Sequence, residues 1–84
     1  MITELYRIVR TRYLERPQGS YTTYLFTEGT DKILKKVGEE ATEVILAAKN
    51  NDHENLIHEY ADLTYHLLVL LVAQGVNPEE VFSE

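Results

Sequence analysis

Seven consecutive apolar residues, Leu67 to Ala73, restrict the folds open to this chain more than any other feature. They lie inside a longer helical pattern, and a helix that is apolar on every side must be covered on every side. A chain of 84 residues buries only about 60% of its unfolded surface, so its other helices are too few and too short to cover this segment. We therefore expect a homodimer in which copies of this helix pack together. A central core helix in a monomer is the alternative.

The two longest helical patterns follow each other directly. Between Thr30 and Asn50, apolar residues recur on one face when successive residues are spaced by about 100°. The segment from Asn50 to Asp52 ends this helix and can cap the next one, which runs to Gln74 with Gly75 directly after it. Two long helices joined by so short a turn are expected to pack antiparallel.

Shorter helices are expected on both sides of this pair. The segment from Ser20 to Thr27 is ambiguous, because its Tyr, Thr and Phe residues are also typical of a strand. No partner strand is evident, so we favour a short helix with Ser20 as its N-cap and Gly29 directly after its end. The predicted fold is all-α: one domain over residues 1–84, an antiparallel bundle of two long and two or three short helices, completed by dimerisation.

Composition excludes several classes of function. The net charge of −6 argues against duplex DNA and anionic membrane surfaces, which are bound by Lys and Arg patches. With no cysteine, the chain has no thiolate metal site and no cysteine nucleophile. The polar residues between Met1 and Arg7 do not resemble a signal peptide, so we expect a cytoplasmic protein with neither nucleic-acid nor membrane partners.

Carboxylates occupy positions where a helical core is expected. On the first long helix, Glu40 lies about 20° from the centre of the apolar stripe and Glu43 about 80° from it. On the second, Glu59, Asp62 and His66 form a narrow polar strip with apolar residues on both flanks. Antiparallel packing would turn the two acidic pairs toward each other.

Four converging carboxylates cannot all stay ionised without a compensating positive charge. Oxygen ligands suit Mg²⁺, with Mn²⁺ as a second possibility. Bundles that bind two iron ions use a Glu-x-x-His pattern, and none of the three histidines has a Glu three residues before it. A solvated acidic groove is the alternative to a metal site. For His66, a structural hydrogen bond within the bundle is favoured over metal ligation.

Basic and hydroxyl side chains precede the acids along the chain. A carboxylate-held metal beside Lys, Arg and hydroxyl donors is typical of sites that bind phosphate. The candidate side chains of this kind are Arg10, Arg12, Ser20, Tyr21, Lys32 and Lys36, whereas Lys35 lies opposite the apolar stripe and is interpreted as surface charge.

These motifs resemble a known group of enzymes. Gly38-Glu39-Glu40-Ala41-Thr42-Glu43, followed by Glu59-Tyr60-Ala61-Asp62, resembles the EExxE…ExxD signature of all-α, MazG-type nucleotide pyrophosphohydrolases. Within that group, three ordered blocks resemble the phosphoribosyl-ATP pyrophosphohydrolase family, and the resemblance covers nearly the whole chain. The blocks are residues 19–22, residues 29–41 and residues 62–66.

The resemblance implies Mg²⁺-dependent hydrolysis of phosphoribosyl-ATP, a small nucleotide, to phosphoribosyl-AMP and pyrophosphate. This is the second step of histidine biosynthesis. It also implies residue roles. Glu39 and Glu40 are implied to be catalytic, with Glu39 orienting or deprotonating the attacking water. The implied metal ligands are Glu40, Glu43, Glu59 and Asp62. The groups implied to hold the phosphates and the phosphoribosyl group are Arg12, Ser20, Tyr21, Lys32 and Lys36.

The residue inventory favours direct attack by a metal-activated water, because the chain has no cysteine, no Ser-His-acid set in sequence and no P-loop. The family includes stand-alone enzymes and enzymes fused to the cyclohydrolase of the next step. A length of 84 residues leads us to expect the stand-alone form. Two other functions remain open. One is a housekeeping hydrolase of the same fold that acts on free nucleoside triphosphates, and the other is a non-enzymatic dimeric helical interaction module.

Overall fold

A computed structural model describes residues 2–84, which form five α-helices and no strand. The two long helices have 20 and 22 residues, and three shorter ones flank them. The all-α prediction is therefore confirmed. The helices are α1 Ile2–Glu15, α2 Tyr21–Glu28, α3 Thr30–Lys49, α4 His53–Gln74 and α5 Pro78–Phe82.

The ends of the helices follow from short polar and glycine signals. The Ser20 side chain caps α2 by accepting a hydrogen bond from the Thr23 backbone N–H, which confirms the helical interpretation of this segment. Gly29 both ends α2 and precedes α3, with φ 98° and ψ −178°. That combination of angles is open essentially to glycine alone. Asp52 caps α4 through the Asn55 backbone N–H at 3.2 Å, as the sequence predicts.

The long helices α3 and α4 form an antiparallel hairpin and pack extensively against each other. Helix α1 packs on α4, and α2 packs against both α1 and α3. The enclosed side chains come from four helices, so no pair of helices holds the core alone. The buried cluster consists of Val9, Leu25, Phe26, Ile33, Val69 and Val72.

The apolar segment of α4 is better covered than the sequence predicts. Leu68, Val69 and Val72 are buried, the rest of the segment is half-buried, and Leu67 is the one residue of the seven that is exposed, at 41%. The expectation that a single chain could not cover this segment is wrong for most of its length. Helices α1 and α2 together supply the missing neighbours, because each adds a side chain to the same core.

Some of the most exposed apolar side chains lie near the turn between α3 and α4. Ile57 is 70% exposed and Tyr60 63% exposed, and both line an open apolar groove with Val44. Dimerisation stays a prediction. The exposed apolar surface that supports it lies at this end of the α3–α4 hairpin and not in the middle of α4. Helix α4 also has the length and hydropathy of a membrane span, a property that core helices of packed bundles share.

Candidate metal and phosphate site

Three carboxylates converge between α3 and α4. One side-chain oxygen each from Glu40, Glu59 and Asp62 lies within 4.8 Å of the other two. Glu59 and Asp62 are three residues apart on α4, so both point to the same side of that helix. Glu40 reaches them from the antiparallel α3. The structure thus brings together three of the four acids predicted as metal ligands.

The cluster lies at the boundary between core and solvent. Glu40 and Glu59 are half-buried and Asp62 is exposed. Partial burial, a hydrogen bond with Glu40 and the negative charges of Glu40 and Asp62 raise the pKa of Glu59. A raised carboxylate pKa means that the folded chain binds this proton more tightly than the unfolded chain. The acidic cluster is therefore electrostatically unfavourable while its three acids are ionised.

This pKa shift predicts how the stability of the metal-free protein depends on pH. Ionised Glu59 destabilises the fold at pH values above its folded-state pKa. The penalty disappears as the pH falls through that pKa toward the ordinary value of 4.5. We expect metal-free Glu59→Gln to unfold at a higher temperature than the wild type at pH 7, with a difference that vanishes below pH 4.5.

Thermal melts in EDTA across this pH range would measure the difference. Glu54→Gln is the matched control, because Glu54 is an exposed acid on the same helix and lies outside the cluster. If both variants shift equally at pH 7, the raised pKa does not come from the cluster.

The remaining two predicted acids lie beside the cluster. Glu43 is exposed on the next turn of α3, and its carboxylate is not among the three that converge. Glu39 forms an ion pair with Lys36 at 3.5 Å, and both side chains remain accessible to solvent. Lys36 therefore brings positive charge to the edge of the cluster.

Tyr21 joins α2 to the acidic region through His66. The Tyr21 hydroxyl lies 2.9 Å from His66 Nε2, and His66 Nδ1 lies 2.7 Å from the backbone oxygen of Asp62. His66 is only 6% exposed, so both ring nitrogens have their partners inside the protein. The predicted structural hydrogen bond of His66 is confirmed. Its contact with Tyr21 has no sequence signal, because it depends on how α2 packs against the α3–α4 hairpin.

Burial raises the pKa of the Tyr21 hydroxyl, while the charge of Lys36 lowers it, and burial has the larger effect. The Glu40 carboxylate adds to the rise. The charges of Lys36 and Glu40 therefore have opposite effects on the pKa of the Tyr21 hydroxyl. The same proximity to Tyr21, together with the neighbouring Glu39, raises the pKa of Lys36.

Lys32 lies beside the Tyr24 ring of α2. Its ammonium is 5.8 Å from the centre of the Tyr24 ring, and that ring stacks on Tyr21 with centroids 6.2 Å apart. Ser20 lines the same open cavity of about 580 Å³ as the two tyrosines. Ser20 and Tyr21 thus line one cavity, Lys32 lies against the Tyr24 ring beside it, and Lys36 pairs with Glu39. That these residues bind phosphate stays a prediction.

Arg12 is the predicted site residue that the structure does not bring to this group. It is exposed on α1 and lines a shallow cavity with Arg7, Ile8 and Thr11. No contact recorded within residues 2–84 joins its side chain to the acids or to Lys32 and Lys36. Within one chain, its predicted role stays untested.

The three acids fit a small hard cation. Oxygens bound to one octahedral Mg²⁺ are about 3.0 Å apart when adjacent and about 4.2 Å apart when opposite. The three oxygens here lie within 4.8 Å of one another, so a small movement of the side chains would bring them to these distances. Carboxylate oxygens are ligands that Mg²⁺ and Mn²⁺ prefer, and Asp62 leaves the site open on the solvent side.

Comparison with known proteins points to one family. The family described as phosphoribosyl-ATP pyrophosphohydrolase matches residues 2–84. Over 84 residues the chain is 55% identical to the phosphoribosyl-ATP pyrophosphatase of Pelotomaculum thermopropionicum, which covers all of this chain and 86% of that protein. The phosphoribosyl-ATP pyrophosphatase of Listeria monocytogenes serotype 4b is 56% identical over the same length, which is 81% of that protein.

A longer relative carries the same region as part of a larger protein. The chain is 62% identical over 83 residues to the histidine biosynthesis bifunctional protein HisIE of Bacillus subtilis, which covers 99% of this chain and 40% of that protein. The chain matches a family of hydrolases over residues 2–84. This match argues against the alternative that the chain is a non-enzymatic interaction module. With the family pattern and the relatives in agreement, this chain belongs to the phosphoribosyl-ATP pyrophosphohydrolase family.

Proposed function

We propose that this protein hydrolyses phosphoribosyl-ATP to phosphoribosyl-AMP and pyrophosphate in histidine biosynthesis, and that it requires Mg²⁺. The observation that carries the proposal is the convergence of Glu40, Glu59 and Asp62 in a chain of this family. Without a cation, these acids would repel a polyphosphate, so a divalent metal is needed for both substrate binding and charge balance.

In this proposal, Glu40, Glu59 and Asp62 hold the metal, and Glu43 becomes the fourth ligand by a change of side-chain rotamer. Glu43 is one helical turn from Glu40 on α3, within reach of the same ion. When bound, Mg²⁺ neutralises charge on the phosphate oxygens and lowers the pKa of water. The in-cell metal is Mg²⁺ in this proposal, with Mn²⁺ able to replace it.

Lys36, Lys32 and Ser20 would bind the phosphate and phosphoribosyl oxygens. Lys36 is paired with Glu39 at 3.5 Å in the absence of substrate. When a phosphate oxygen takes the Lys36 ammonium, Glu39 loses its partner and becomes free to orient the attacking water or accept its proton. Binding of substrate and preparation of the water are therefore coupled through one exposed ion pair.

Assembly as a homodimer would cover the exposed end of the hairpin at Ile45, Ile57 and Tyr60. It would also allow Arg12, which lies apart from the acids within one chain, to approach a neighbouring site. A biosynthetic enzyme that acts on a small nucleotide is expected in the cytoplasm, without nucleic-acid or membrane partners.

The substrate assignment predicts a preference that one assay can measure. Pyrophosphate release from phosphoribosyl-ATP should exceed release from ATP, GTP and the other nucleoside triphosphates by at least about 100-fold in kcat/KM, because contacts to the extra phosphoribosyl group act only on the former. Equal rates on all of these substrates would instead support the housekeeping hydrolase. The Glu40→Gln protein serves as the blank for contaminating phosphatases.

A further inference from the structure

The polarity of the Tyr21–His66 hydrogen bond determines what Tyr21 can bind. The backbone oxygen of Asp62 can only accept, so His66 Nδ1, at 2.7 Å from it, carries the proton. In a neutral imidazole the other nitrogen then has a lone pair and no hydrogen. His66 Nε2 must therefore accept the hydrogen bond from the Tyr21 hydroxyl at 2.9 Å.

A phenol has one hydrogen, and here it is directed at His66. The Tyr21 oxygen keeps its acceptor lone pairs. Tyr21 is 45% exposed, so a ligand can reach this residue from the solvent. An acceptor cannot hydrogen-bond to a fully ionised phosphate oxygen, which is itself an acceptor. It can bind an O–H group, such as a sugar hydroxyl.

Resting on the function proposed above, we propose that His66 is a positioning residue that fixes the Tyr21 hydroxyl as an acceptor, so that Tyr21 binds an O–H donor and not a phosphate. A hydroxyl of the phosphoribosyl-ATP sugars is the donor that the substrate supplies, and the attacking water is a second source of the same chemistry. The phosphate oxygens are left to Lys32 and Lys36, the cations grouped beside Tyr21.

Two variants of His66 separate this role from a merely structural one. The amide of Asn replaces His Nδ1, so His66→Asn keeps the bond to the Asp62 carbonyl and loses the acceptor for Tyr21. The longer Gln places its amide oxygen near the position of Nε2, so His66→Gln keeps an acceptor for Tyr21. We expect His66→Asn to lower kcat/KM for phosphoribosyl-ATP on the order of tenfold and His66→Gln to restore most of the loss.

Tyr21→Phe removes the hydroxyl alone and should reproduce the His66→Asn loss. Tyr60→Phe is its control, because Tyr60 is an exposed tyrosine on α4 that lies outside the cavity lined by Tyr21. A rise in KM at constant kcat assigns the donor to a substrate hydroxyl, and a fall in kcat at constant KM assigns it to the attacking water. Unchanged kinetics in Tyr21→Phe, or a better enzyme with Asn than with Gln at position 66, would overturn the inference.

A measurement without substrate keeps the test independent of folding defects and of the proposed function. Two-bond ¹H–¹⁵N NMR spectra of the wild-type protein report which nitrogen of His66 carries the proton. We expect Nδ1 to be protonated and Nε2 to be unprotonated. A proton on Nε2 would overturn the inference. If the wild type hydrolyses no phosphoribosyl-ATP, the proposed function fails. The NMR result still decides whether the Tyr21 hydroxyl donates its hydrogen bond to His66 or accepts one from it.

Discussion

Glu40→Gln should lower the rate of phosphoribosyl-ATP hydrolysis by about 1,000-fold, on the scale of losing one group that stabilises transition-state charge. Glu40 is the one acid of the cluster that α3 contributes, and it faces both Glu59 and Asp62 across the helix interface. The amide has nearly the same shape but no negative charge, so it weakens metal binding while leaving the packing of α3 on α4 intact. Initial rates at saturating Mg²⁺, with circular dichroism as a check on folding, would measure the effect.

The matched control is Glu54→Gln, an equivalent loss of charge on an exposed turn of α4. Its activity should stay within about twofold of the wild type, because surface substitutions of this kind change little. Asp62→Asn should behave like Glu40→Gln, because it removes another acid of the same cluster. Full activity in either cluster variant would show that the metal is not bound by these three residues.

Addition of Mg²⁺ or Mn²⁺ to metal-free protein should raise its unfolding temperature strongly. Only the folded chain brings Glu40, Glu59 and Asp62 within 4.8 Å of one another, so the ion binds the native state in preference to the unfolded one. At a free metal concentration of about 100 Kd, the native state gains about 2.7 kcal/mol. In a domain of this size that corresponds to a rise in Tm of roughly 10–20 °C.

Differential scanning fluorimetry at fixed protein concentration would record this shift, since oligomerisation also affects Tm. Asp62→Asn should abolish most of the increase. The same variant should melt higher than wild type in EDTA, because it relieves repulsion between neighbouring acids. A wild-type Tm that does not respond to millimolar Mn²⁺ would contradict the metal site, whatever the activity of the variants.

Much of the fold is predictable from local signals. The caps at Ser20 and Asp52 depend on one or two neighbouring residues, so the sequence suffices to place them. The convergence of Glu40 with Glu59 and Asp62 is also predictable, because helical periodicity and an antiparallel hairpin determine which faces meet.

Features that depend on how a further helix packs against the α3–α4 hairpin cannot be predicted from helical periodicity. Helix α1 and the α2 side chains of the shared core add to the cover that α3 gives the α4 apolar segment, and the extent of this cover depends on angles between helices that no sequence pattern specifies. The contact between Tyr21 and His66 joins residues 45 positions apart and has the same origin. Glu43 and Arg12 illustrate a different limit, because a metal and a neighbouring subunit would decide their positions.

The single residue between α2 and α3 has a consequence for how this enzyme family can vary in length. Gly29 leaves no spare chain between the helix that carries Tyr21 and the helix that carries Lys32, Lys36 and Glu40. An insertion there would rotate one helix about the other and separate the Tyr21 hydroxyl from His66. The stretch between α1 and α2 has no such constraint. We therefore expect natural length changes to accumulate before residue 20 and to be absent at the α2–α3 junction.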